Sequence, residues 1–111
     1  MNQQTGQWVL HPSEMKAEWS EVTRNIAGVP LDIEVGPAYL QTIVEPEDWE
    51  KVYESLMRTV HYGSEHNIVY RINRPIDNKQ VWVHCKAFRD ESDPSAPKLI
   101  GTLSKIDTIQ S

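Results

Sequence analysis

In the stretch "YRINRPIDNKQVWVHCKAFRD", residues 70–90, a histidine and the chain's only cysteine stand side by side. Such a pair could supply a nucleophile with its base, or two ligands of a metal ion, provided both side chains reach one point. The alternation "VWVHCKAF" reads as a β-strand, in which neighbours point to opposite faces. Trp82, His84, Lys86 and Phe88 then share one face, and Val81, Val83, Cys85 and Ala87 the other. His84 and Cys85 therefore cannot chelate one ion together, and Cys85 among small apolar groups reads as a core hydrophobe. The carboxylates Glu45, Glu47, Asp48 and Glu50 could be an acid-base pair, but at a helix start they read as dipole complement and solvated face. His61 suits the negative end of the same helix, and His11 and His66 read as surface residues. No nucleophile elbow, phosphate-cradling loop or zinc-ligand spacing occurs among five glycines, four histidines and one cysteine.

The elements that carry these residues divide by period. "QWVLH" and "KAEWS" suggest two strands, and "SEVTRNIAGVP" a short helix opened by Ser20 and stopped by Gly28 and Pro30. "GPAYLQTIV" suggests a second short helix or an irregular turn after Gly36-Pro37. "EPEDWEKVYESLMRTVHYG" predicts a long helix over about residues 45–62, with Pro46 in its first turn and Gly63 at its stop. Trp49, Val52, Tyr53, Leu56, Met57 and Val60 form its apolar stripe, while Glu50, Lys51, Glu54 and Arg58 face outward. After Gly63 the period becomes two: "HNIVYRINR", "KQVWVHCKAFRD" and "KLIGTLSKID" predict three strands joined as an antiparallel sheet. The order is that of an α+β fold.

A length of 111 residues bounds the chain to one domain, and 39% hydrophobic with 24% charged residues is an ordinary globular composition. The net charge of -5 comes without a basic cluster, which argues against nucleic acid as a partner. The single cysteine allows no intrachain disulfide, and no signal-peptide core or membrane-spanning apolar run is present. A cytoplasmic location without membrane insertion is the expectation, although the sequence can belong to a longer, membrane-anchored protein.

The residues resemble the PAS sensory domains, specifically the bacterial subgroup ending in a PAC segment. "VEPEDWEKV" is similar to that group's helix opening, V-H-P-E-D-x-x-x-V, with Glu45 where His is common. Residues 69–107 resemble its strand-turn-strand-turn-strand ending, with Tyr70-Arg71-Ile72, Asp77-Asn78, Trp82-Val83, Arg89-Asp90 and Ile100-Gly101-Thr102 at the family's stations. Trp19-Ser20 and Gly28 match the first hairpin and the short helix after it. Two departures stand out. Lys105 occupies the place of an Asp that links the domain to a following helix, with Asp107-Thr108 two residues later. The Asn-Cys-Arg-Phe-Leu-Gln stretch of flavin-binding light-oxygen-voltage members is absent.

The resemblance implies a single PAS domain over residues 1–111, its PAC-like segment about 66–108: a five-stranded antiparallel sheet with helices on one face. It implies a non-enzymatic sensory or dimerising module regulating an output domain, such as a histidine kinase, a diguanylate cyclase or phosphodiesterase, or a chemoreceptor. A small α+β cone enzyme or ligand carrier is the alternative, which would want an acid or histidine in its pocket. Heme is disfavoured because His61 suits a helix end, and flavin because Leu103 points inward where relatives place a glutamine. If a ligand binds, the expectation is an unidentified small, largely apolar molecule contacted by Leu56, Val83, Cys85 and Leu103 and oriented by Tyr39 or Asn73; the alternative is that these side chains fill one another's space and the domain binds nothing. Homodimerisation is expected through the face bearing Trp82, His84 and Phe88, aided by residues 1–7.

Overall fold

Within residues 4–106, which the computed structural model describes, the chain forms β1 Thr5–His11, β2 Lys16–Trp19, α1 Glu21–Ala27, α2 Pro37–Ile43, α3 Pro46–Tyr62, β3 His66–Asn73, β4 Gln80–Asp90 and β5 Lys98–Ile106. The pair Asp107-Thr108 and the first three residues of the amino-terminal segment lie outside the described residues. The strands form one antiparallel sheet in the order β2-β1-β5-β4-β3. This is the expected α+β architecture, a five-stranded antiparallel sheet with helices on one face.

Local chemistry sets each boundary. Ser20 caps α1, its Oγ accepting from the Thr23 N–H at 3.2 Å, and Gly28 ends it at φ 71°. Pro37 and Pro46 open α2 and α3, where their missing N–H groups cost nothing. Gly63 closes α3 at φ 74°, a left-handed turn that favours glycine. Arg89 reinforces that end by donating from Nη1 to the Val60 carbonyl at 2.9 Å.

The helices cover the sheet face formed by Trp8, Leu10, Tyr70, Ile72, Val83, Cys85, Ala87, Leu99 and Leu103, all buried. Val52, Leu56 and Thr59 of α3 are buried against it, whereas Glu50, Lys51, Glu54 and Arg58 are exposed. Two glycines allow close approach. A Cβ at Gly6 would collide with Thr23, so α1 lies directly on β1, and a Cβ at Gly101 would meet the Lys86 carbonyl and the Trp8 ring.

Candidate functional site

Strand register assembles the site one row at a time. Trp8 of β1 stands opposite Gly101 of β5, Gly101 opposite Ala87 of β4, and Ala87 opposite His66 of β3. The two central residues of this row are small, and the Trp8 indole lies over them: its Cε2 is 2.6 Å from where a Gly101 Cβ would stand. The ring thereby meets His66 edge-on, with centroids 6.4 Å apart and planes at 86°. The adjoining row places Leu103 opposite Cys85 and Cys85 opposite Ile68.

Between these rows and the helices lies a cavity of about 50 Å³. The sheet contributes Trp8, Leu10, His66, Tyr70, Ile72, Cys85 and Leu103 to its wall, and α3 contributes Val52 and Leu56. Its far side is closed by Ala17 and Trp19 of β2, Thr23 of α1, and Gly36, Pro37 and Leu40 at α2. Of the residues expected to contact a ligand, Leu56, Cys85 and Leu103 come together here. Val83 is buried on the same face without lining the cavity. Tyr39 and Asn73, expected to orient a ligand, do not line it either. Helix α2 turns Pro37 and Leu40 toward the cavity and Tyr39 aside, and Asn73 follows the inward Ile72, so its side chain faces away. There its Nδ2 donates to Glu45 at 3.1 Å.

His66 corrects the sequence reading most plainly. It is 2% exposed rather than a surface residue, and it lines the cavity. Ser55 Oγ of α3 and His66 Nδ1 share a 2.8 Å hydrogen bond. Burial pushes the imidazole pKa down to about 4, against the opposing effect of its hydrogen bonding to Ser55. The period of two held the missed signal, since His66 is in phase with Ile68, Tyr70 and Ile72. Trp8 was missed similarly, although it alternates in phase with Leu10.

A histidine in the pocket is what the cone-enzyme alternative requires, but its surroundings do not activate it. Among the described residues, no carboxylate lines the cavity to orient a neutral imidazole. Burial also pushes the Cys85 thiol up to about 12, opposed by the nearby Trp8 and Tyr70 side chains, so the thiolate needed for attack is scarce. Tyr70 is raised well above the usual phenol range, first by burial and then by its proximity to Cys85. His61 is exposed on the last turn of α3 and does not line the cavity. Among the described residues, no cluster of metal-ligating side chains exists.

Asp48 departs from the expected solvated face as well. It is 5% exposed, and its carboxylate receives Arg71 Nε at 2.9 Å, Nη2 at 2.8 Å and the Arg71 backbone N–H at 2.9 Å. These hydrogen bonds hold its pKa below the usual carboxylate range. The Arg71 guanidinium also lies over the Trp82 ring, 5.4 Å from its centroid, so it joins the start of α3 to the opposite sheet face.

On that opposite face, strand register aligns Val9, Ile100 and Phe88 in one row, and Arg71, Trp82 and Ile106 in another. His84 lies between them, its Nε2 bonded to Asn67 Oδ1 at 2.6 Å. Phe88 is 56% exposed. Among the described residues, no helix is long and apolar enough to cross a membrane.

A family model described as PAS fold matches residues 16–103. Among solved structures, the chain resembles the N-terminal domain of a diguanylate cyclase with PAS/PAC sensor from Marinobacter aquaeolei at 22% identity. That match covers 89% of this chain and 92% of the other, with a TM-score of 0.78. A sensory box histidine kinase/response regulator from Burkholderia thailandensis matches at 16% identity over 93% of this chain and 77% of its own, with a TM-score of 0.75. An RNA-binding light-oxygen-voltage receptor matches at 13% identity and a TM-score of 0.76, over 96% of this chain but 31% of its own. No curated protein matches the sequence.

Proposed function

The chain belongs to the PAS fold family of sensory signalling modules, and we propose that it senses a small molecule in the cavity between α3 and the sheet. The observation that carries this reading is the cavity itself, walled mainly by apolar side chains but lined also by His66, Tyr70 and Thr23. An apolar lining with a few placed polar groups is the usual composition of a ligand site. The outer face, with Trp82, His84 and Phe88, then serves as the surface for a second copy of the chain. The regulated partner is an attached output domain, of the kinase or cyclase kind that the similar structures belong to. The module acts without catalysis, in the cytoplasm, and without nucleic acid.

Flavin and heme do not suit this site. A cavity of about 50 Å³ is small for a three-ring flavin, and Leu103 offers no hydrogen bond to a flavin's polar edge. Heme, larger still, would need far more room than that volume gives.

A thermal-shift screen of small metabolites tests the proposal. A stabilising compound should raise the melting temperature of the parent but not of Cys85→Leu, whose larger side chain fills the cavity. A screen without a stabiliser, or one whose stabilisers act equally on Cys85→Leu, would count against it.

A further inference from the structure

The chain between α2 and α3 is pinned to the edge of the sheet. Val44 forms a bridge with Ile72 of β3, and the Glu45 N–H donates to the Arg71 carbonyl at 3.0 Å. Arg71 in turn donates its own backbone N–H to the Asp48 carboxylate, which its guanidinium holds through Nε and Nη2 as well. Glu45 Oε1 accepts from Asn73 Nδ2 at 3.1 Å and from Gln80 Nε2 at 3.0 Å, so the start of β4 is tied in too. Residues 44–48 are therefore a joint fixed to the β3–β4 hairpin.

Both arms of this joint wall the cavity. Helix α2 ends at Ile43, just before it, and supplies Pro37 and Leu40 to the wall. Helix α3 begins at Pro46 and supplies Val52 and Leu56, about one and two turns beyond Asp48. A guest that moves either wall loads the joint between them.

Arg71 carries that load to the other side of the sheet. It stands opposite Trp82 in the strand register, and its guanidinium lies over the Trp82 ring, 5.4 Å from the centroid, while gripping the buried Asp48. Charge-assisted bonds of this forked kind are strong and direction-dependent, so a displaced Asp48 takes the guanidinium with it.

We infer that Arg71 is a positioning residue through which the outer face registers the cavity: a guest between α3 and the sheet shifts Asp48, and Arg71 passes the shift to Trp82. This inference rests on the sensor reading and adds to it the route by which occupancy reaches the surface. The coupling is reciprocal, so a partner seated over Trp82 changes the affinity of the cavity by the same factor.

The test uses the whole chain with dissolved xenon as the guest and nuclear magnetic resonance as the readout. The Leu56 methyl signals report the cavity, and the Trp82 indole N–H, assigned as the signal lost in Trp82→Phe, reports the outer face. Xenon should shift the Leu56 methyls saturably in the parent and in Arg71→Gln alike. The Trp82 indole should move along the same saturation curve in the parent and lose that movement in Arg71→Gln. If Arg71→Gln does not fold, Arg71→Lys takes its place, since lysine keeps the charge without the planar fork. A xenon shift at Leu56 with Trp82 unmoved in the parent, or with Trp82 moving equally in the Arg71 variant, overturns the role of Arg71 and leaves the sensor reading standing. Leu56 methyls that xenon does not move overturn both.

Discussion

The two faces of one sheet each carry a tryptophan and a histidine, and the four residues live in opposite environments. On the inner face Trp8 and His66 meet across Gly101 and Ala87, both buried, with the imidazole bonded to Ser55 of the long helix. On the outer face Trp82 lies under Arg71, and His84 bonds Asn67 within the sheet. The difference comes from what stands opposite each aromatic residue. Small neighbours on the inner face let helices descend and seal the row, whereas Lys86, Thr102 and Ser104 keep the outer face polar between its two apolar rows. The inner pair is therefore tied to folding, and the outer pair to the face for which association is proposed.

The sharpest way to break that comparison is to titrate the inner histidine. His66 has its pKa lowered from 6.5 to about 4, so between these values the unfolded chain binds a proton that the folded chain refuses. Stability is thus constant from this group above pH 6.5 and falls as pH drops through 6.5 toward 4. A gap of that size corresponds to roughly 3 kcal/mol. Urea unfolding between pH 4 and 7 should show this loss in the parent and a reduced one in His66→Phe. An unchanged pH slope in His66→Phe would mean the inner histidine is not the titrating group.

A smaller effect should follow from filling the gap beneath the Trp8 ring. A methyl group at Gly101 would meet both the Lys86 carbonyl and the indole, and one of these is backbone that cannot turn aside. Gly101→Ala should cost about 2 kcal/mol by overpacking. Its outer neighbour Thr102 is half-buried, and Thr102→Ala should stay within about 0.5 kcal/mol. Equal losses at the two positions, measured by denaturant midpoint, would show that the inner row is no tighter than the outer.

Much of the fold was legible because its signals are local. The alternation over 66–74, 79–90 and 98–107, the proline and glycine that bound α3, and the cap at Ser20 each act within a few residues, and all three strands and α3 lie within a residue of where they were expected. The candidate site was legible only in part, because a cavity depends on which strands become neighbours. Cys85 and Leu103 followed from the pleat alone. Trp8 could not be placed beside His66 without the order β2-β1-β5-β4-β3, which puts β5 between the first strand and the fourth. His66 was misjudged because a histidine just after a glycine and two polar residues looks like a loop end, although its phase with Tyr70 and Ile72 pointed inward. Asp48 was misjudged because its partner Arg71 is 23 residues away in sequence.

The smallest effect on stability, and the most informative about association, should come from the outer face. Phe88 is 56% exposed and sits in a row with Val9 and Ile100, which together make an apolar strip that water covers poorly. Phe88→Glu serves better than a change at Trp82, because Trp82 also packs under Arg71 and its loss would disturb the Asp48 pair. If a second copy covers the strip, a carboxylate at its centre must be buried unpaired against apolar surface, and the interface loses more than the monomer does. Sedimentation at high micromolar concentration should find the parent dimeric and Phe88→Glu monomeric, with unfolding midpoints that correspond to a change of about 0.5 kcal/mol or less. A monomeric parent at that concentration would remove association from the role of the outer face, and a large loss of stability in Phe88→Glu would make that face part of the fold's own core.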